Sequence, residues 1–222
     1  MLDRRLKQRP ILVTPATASI IDIASAKAQC RIDSTDDDTL LKGMISAVNS
    51  YLDGRSGTTG RALLTQTWQQ NFWGWPDAMN GVYIPLAENT YFSPNSGERG
   101  LRLPLEPVQS IVSVKYFDTT NTLQTVNPSF YGLFTDDLGS YCRLVPQTFT
   151  YPSVYVRPDA VQVQFIAGET ATNPTIRAAA LLLVQHLYQL SISAGSTGAD
   201  TQNFQVPMAV DMLLNSVWRP VV

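Results

Sequence analysis

Apolar positions along the chain change period twice, and these changes divide it into three parts. Near the start, Pro10 and Pro15 discourage helix, so the first 16 or so residues read as an extended arm. A short helix follows over 23–31, with the Asp22 carboxylate placed to cap its free amides. Ser34 and Thr35 open a second helix, with Asp36, Asp37 and Asp38 in its first turn, where negative charge meets the positive end of the helix dipole. Leu40, Leu41, Met44, Ile45, Val48, Tyr51 and Leu52 recur at helical spacing, and Gly54 and Gly57 stop the run.

From 63 to 168 the period falls to two. Val112, Val114 and Tyr116 are expected on one face of a strand and Ser113 and Lys115 on the other; Val161, Val163 and Phe165 alternate in the same way with Gln162 and Gln164. Turn signals at 118–121, 127–128 and 136–140 separate the runs, so this part is a small antiparallel β unit of several short strands. It carries an insertion at 77–100 rich in Asn, Gly and Pro.

Helical period returns at Asn173-Pro174, an N-cap followed by a proline at the first helical position. Ile176, Ala180, Leu183, Val184, Leu187 and Ser191 share one face, and the helix is apolar on most sides, which predicts a central place. A polar loop at 193–205 precedes a last helix over 207–218, striped by Val210, Leu213, Leu214 and Val217. The fold class is therefore α+β: a bundle of about four helices with a small antiparallel β domain inserted between the second helix and the long one. In domain terms, 1–18 is the extended arm and 19–222 one further domain, with helices at 22–57 and 173–218 and the β unit at 63–168.

Composition narrows the function. The 222 residues are 44% hydrophobic, enough for a sizeable core, yet only 15% charged with a net charge of −2. Gripping phosphates calls for a basic face, so sequence-independent nucleic-acid binding is disfavoured. Low charge beside abundant apolar residues instead suits a surface covered by partners. Arg4, Arg5, Lys7 and Arg9 face only Asp3, but the apolar run 11–13 is far too short for a secretory leader, and no stretch has membrane-spanning length. Cys30 and Cys142 stand in no metal-ligand spacing and read as reduced structural thiols.

Candidate chemistry is sparse. His186 is the only histidine and falls inside an apolar helix, which suits packing better than a catalytic pair. The glycines at 54, 57 and 60 lack the Lys-Ser/Thr that a phosphate loop requires. Asp36–Asp38 would splay about 100° apart on a helix and fail to converge on a cation; they serve capping, or a solvated acidic face. Trp68, Phe72, Trp73 and Trp75 form the densest aromatic cluster, read as core packing with an interface anchor as the alternative. With no basic residue between 65 and 77, stacking on single strands is excluded. No cofactor and no metal site is expected.

The order of motifs resembles the tailed-phage head–tail connector (adaptor) family, also found in gene-transfer agents. Lys27, then Arg31-Ile32-Asp33 before Asp36–Asp38, fits that family's opening; Leu63, Gln66, Thr67 and Trp68 fit its Leu-x-x-Gln-Thr-Trp strand. Leu103-Pro104, Pro107-Val108, Ile111, Val114, Tyr116 and Asp118 follow its central pattern, and Ala167-Gly168 precedes the long helix begun by Pro174, Ile176 and Ala179. Val206-Pro207, Leu213-Leu214 and Trp218-Arg219 match its closing helix. Three places depart: the 77–100 insertion is long, Glu169 replaces a frequent aromatic, and Tyr188-Gln189-Leu190 stands where Tyr-Asn-Arg is common.

The resemblance implies a structural virion protein, not an enzyme, located in the neck and assembled in the bacterial cytoplasm. It implies a homo-oligomeric ring, commonly dodecameric, that binds the portal protein, extends the DNA channel and docks a stopper or tail-terminator protein. DNA would pass without specific binding and no membrane is involved. On that basis Trp218, Arg219, Pro220, Val221 and Val222 are candidates for the portal contact, and Asp36, Asp37, Asp38 and Glu169 for channel-facing charge. The alternative within the same junction is a stopper or tail-terminator subunit, a class that is smaller and dominated by strands. A small hydrolase or nuclease would need convergent carboxylates, and the sequence offers only Asp36–Asp38.

Overall fold

The structure, a computed structural model, describes residues 9–75, 100–136, 139–144, 151–194, 207–215 and 217. It divides into two compact units, each assembled from separated stretches of chain: one from the residues up to Pro15 together with Gln66–Ala167, the other from Ala16–Thr65 together with the residues from Gly168 onward. The class is mixed α+β, with four α-helices and antiparallel sheets among the described residues.

In the helical unit, α1 (Ile23–Cys30) starts where expected. Asp22 is its N-cap, accepting from the Ser25 amide at 2.7 Å, and Arg31 closes it in the left-handed region at φ 59°. Helix α2 (Asp38–Leu52) buries Leu41, Ile45, Val48 and Leu52, spaced four, three and four apart along one stripe. The stripe is narrower than the sequence suggested, since Leu40 and Tyr51 remain exposed. After α2 the chain is fastened back on it. Asp53 accepts from the Leu63 amide at 2.7 Å, and the buried Thr59 hydroxyl donates to the Leu52 carbonyl at 2.8 Å.

Helix α3 (Pro174–Ala194) begins at Asn173, whose side chain accepts from the Thr175 amide at 2.9 Å, with Pro174 at the first helical position. It packs on α1, α2 and α4 (Met208–Asn215), so its nearly all-round apolar character follows from a central position. Ile176, Ala179, Ala180, Leu183 and Val184 enter the core with Ala26 of α1 and Val210 and Leu214 of α4. Ala26, Ala179 and Ala180 are fully buried, and their short side chains let helix backbones approach closely.

The β unit holds two sheets. The larger runs in the order β1 (Ile11–Thr14), β2 (Gln66–Phe72), β8 (Val161–Ala167), β4 (Val108–Phe117), β5 (Leu123–Thr125), every neighbouring pair antiparallel. The smaller runs β3 (Leu101–Arg102), β7 (Gly139–Leu144), β6 (Tyr131–Asp136). Central β8 shows the alternation its sequence announced, with Val161, Val163 and Phe165 buried and Gln162 and Gln164 half-exposed. Strand β4 does not. Ile111 pairs with Phe165 and Ser113 with Gln164, so Val112 is an extra residue at a β-bulge and stays 46% exposed while Val114 is fully buried. The expectation that Val112 shares a face with Val114 and Tyr116 is thus corrected: a bulge shifts the period by one. The segment 11–14, read as part of the arm, is extended and paired to β2.

The aromatic cluster separates. Trp75 is 1% exposed, its ring 5.7 Å from Tyr116 and 5.6 Å from Tyr151, and its indole N–H donates to the Pro152 carbonyl at 2.9 Å. Trp68 is buried on β2, whereas Trp73 is 52% exposed. Because Phe165 lies fully buried in the middle of the central strand, Phe165→Ala is expected to cost about 3–5 kcal/mol, read from the urea midpoint of the β unit. A cost below about 1 kcal/mol would mean that β8 is not the centre of that core.

Candidate functional site

The residues singled out from the sequence do not form one constellation. Asp36 is exposed ahead of α2. Asp37 occupies the N-cap position of α2 but makes no side-chain cap bond; its carboxylate accepts instead from the Tyr188 hydroxyl of α3 at 2.7 Å. That bond, made to the neutral phenol, holds the Tyr188 pKa above its ordinary value. Asp38, the first residue of α2, pairs with Lys27 of α1 at 2.8 Å. The expectation that all three acids line the first turn is corrected here. Asp38 alone lies in the first turn; Asp36 and Asp37 precede the helix. Among the described residues no group of three or more His, Cys, Asp or Glu side chains is placed to hold a metal ion.

Glu169 is half-buried just after β8. It accepts from the Asn173 amide at 3.1 Å and lies 3.5 Å from the Arg61 guanidinium, so it braces the entry to α3. The neighbouring Gly168 has φ +132°, and a Cβ there would run into the Leu64 carbonyl. Trp218, Arg219, Pro220, Val221 and Val222 lie outside the described residues, as do most of the 77–100 insertion, the 195–206 part of the polar loop and the arm before Arg9. The helix before that tail is placed: Val210 and Leu214 are buried, Leu213 and Val217 pack partly against the same core, and Met208 and Met212 are 79% and 69% exposed.

His186 is half-buried on α3, with its Nε2 buried and without a hydrogen-bond partner. Both cysteines are free thiols. Burial pushes Cys142 up to about 12 and raises Cys30, the reverse of an activated nucleophile. Beside the end of α1 an open polar cleft of about 460 Å³ is lined by Ala28, Gln29, Cys30, Arg31, Gln185 and Gln189. The Gln29 amide crosses it to the Gln185 side-chain oxygen at 2.8 Å.

Sequence reasoning missed a surface. The tip of the β4–β5 hairpin is locked by Asp118, which accepts from the Thr120 and Thr122 amides at 2.9 and 3.0 Å, the Thr120 hydroxyl, and the Gln124 amide. Beside it Arg157 makes a two-pronged pair with Asp159, donates to Asn121 and lies 3.7 Å from the centroid of the Phe117 ring. Around this rigid frame Leu123 and Tyr155 are each 45% exposed and Val156 is 88% exposed. Strand β1 likewise exposes Ile11, Leu12 and Val13 at 44–52%. The available signals were the apolar run 11–13 between two prolines and the Tyr-Val pair at 155–156, neither of which separates buried from exposed strands by period alone.

Comparison with known proteins adds the following. The family model described as Phage gp6-like head-tail connector protein matches residues 20–98. No curated protein matches. Among solved structures the chain is similar to one in the neck of an empty GTA particle computed with C6 symmetry, at 16% identity and a TM-score of 0.63, covering 96% of this chain and 97% of that one. It is also similar to a chain in the virion of a native gene transfer agent particle, at 16% identity and a TM-score of 0.58, covering 96% of each. At that identity the likeness is one of fold.

The hairpin lock sets an acid limit. Hydrogen bonds from the Thr120 hydroxyl, then the Gln124 amide and the Thr122 amide, lower Asp118 to about 2 from 3.8. A depressed carboxylate contributes stability in full above its unfolded value and loses it as pH falls through the folded one. The Thr120 and Thr122 amides are therefore expected to keep their bonded chemical shifts at pH 3 and to lose them near pH 2. Asp118→Ala should abolish that step in the NMR titration; an unchanged step would assign it to another group.

Proposed function

We infer, from the match of residues 20–98 to the phage gp6-like head-tail connector model, that the protein is an adaptor subunit of the neck. In this reading it forms a homo-oligomeric ring, dodecameric, beneath the portal, extends the DNA channel and presents a docking surface to a stopper or tail-terminator protein. It is a structural protein and not an enzyme. The observation that carries the reading is the coincidence of the family match over the first helices with a fold shared along 96% of the chain with a neck component.

Physical features support it. Charge is scarce, and the conspicuous carboxylates are engaged locally by Lys27, Tyr188 and Arg61, which leaves Asp36 as the exposed member of the candidate channel set. A wall that is neutral or mildly acidic lets duplex DNA slide without sticking. Exposed apolar side chains occur in both units, as expected where neighbours cover much of the surface. A stopper or tail-terminator is the less favoured alternative, because the helical core is as substantial as the strand core.

Particle imaging of the protein mixed with its portal tests the assignment. The expected outcome is a ring seated on the tail-side face of the portal, whereas binding only to a portal that already carries another ring would identify a stopper instead.

The C-terminal residues supply the portal contact in this proposal. Val210 and Leu214 are committed to the subunit's own core while Met208 and Met212 stay exposed, and the proposal assigns the portal contact to residues 218–222, which follow α4 in the chain. A Trp at a hot spot contributes roughly 2 kcal/mol or more, about 30-fold in affinity per subunit, and a ring multiplies the effect. Deleting residues 218–222 is expected to leave the circular dichroism spectrum unchanged and to abolish attachment to the portal. Normal attachment by the truncated protein would transfer the role to the basic segment around Arg4–Arg9.

A further inference from the structure

The five-stranded sheet ends in two strands that contain no charged residue. Strand β1 reads Ile-Leu-Val-Thr with all four residues exposed, and β5 reads Leu-Gln-Thr with Leu123 45% exposed. Among the described residues each is paired in the sheet on one side only, β1 to β2 and β5 to β4. Natural edges are commonly blunted by lysine, an inward charge or a cover; neither edge carries a charge. Pro10 and Pro15 bracket β1 and Pro128 follows β5, which confines each open ladder to a few residues and prevents indefinite strand addition.

The topology identifies what fits. Five antiparallel strands are an odd number, so β1 and β5 run in the same direction at opposite ends of the sheet. A neighbouring copy rotated without being turned over therefore offers its β5 alongside β1 in parallel, and the joined pair retains one free β1 edge and one free β5 edge. Contact between two different edges is heterologous and closes into a ring or continues as a fibre, whereas β1 against β1 stops at a dimer. We propose that a second copy of this chain is the occupant of the β1 edge, its β5 adding as a sixth strand, with Ile11, Leu12 and Val13 of one copy and Leu123 of the next at the joint. The choice of a copy over another protein rests on the ring assignment above.

Thiol cross-linking tests this independently of that assignment. Within one sheet β1 and β5 are separated by four strand spacings, about 19 Å, so a short bis-maleimide cannot join them inside a subunit. In a Cys30→Ala background, with buried Cys142 retained, the double variant Leu12→Cys/Leu123→Cys is expected to give a covalent ladder extending past the dimer. Each single variant alone should give none, and a mixture of the two singles a dimer only. Leu12→Lys and Leu123→Lys, with unchanged circular dichroism, should each lose assembly in native mass spectrometry. A covalent dimer from Leu12→Cys alone would overturn the proposal in favour of like-edge pairing. Rings without a ladder, or normal assembly by both lysine variants, would overturn it while leaving the ring assignment standing. A ladder without closed rings would uphold the edge contact and remove the ring.

Discussion

The pairing of β2 with β8 is the constraint on which the rest depends. It sets Gln66 opposite Ala167, so the chain leaves the helical unit and returns to it at adjacent points after an excursion of about a hundred residues. Closing so long a loop costs little more than closing a short one, because the entropy grows only with the logarithm of length. Local geometry at the return point is demanding: Gly168 takes a positive φ and sits against the Leu64 carbonyl, where a side chain has no room. Arg61, Glu169 and Asn173 then lead directly into α3.

Each unit is thereby built around an element contributed by the returning chain. In the β unit that element is β8, flanked by β2 and β4 and buried on its Val161, Val163 and Phe165 face. In the helical unit it is α3, packed by α1, α2 and α4. Neither core exists until the two halves of its chain have met. Once they have met, the interior is dense with fully buried Val, Leu, Ala and Phe.

The polar groups divide between interior bracing and surface locking. Lys27–Asp38, Tyr188–Asp37 and Gln29–Gln185 tie neighbouring helices together, and Asp118 and Arg157 stiffen a hairpin around which Leu123, Tyr155 and Val156 are exposed. Rigid frames around exposed apolar residues lower the ordering cost of association.

Sequence alone determined what local chemistry controls. The Asp22 and Asn173-Pro174 helix starts, the two-residue alternation of β8, the stripe on α2 and the helix–strand–helix order follow from dihedral preference and hydrophobic period, which nearby residues suffice to set. Motif order along the chain also carried the connector resemblance. Tertiary structure decided everything that depends on a distant partner. Val112 left its expected face because pairing with β8 inserts a bulge, and of the three acids Asp38 alone lies in the first turn, paired with Lys27, while Asp37 ahead of it accepts from Tyr188. Trp73 and Trp75 separated although two residues apart, because Tyr116 and Tyr151 enclose only the second. The segment 11–14 became a sheet edge only because β2, more than fifty residues later, accepts it. Such contacts join residues far apart in the chain, and no local pattern encodes which of them will meet.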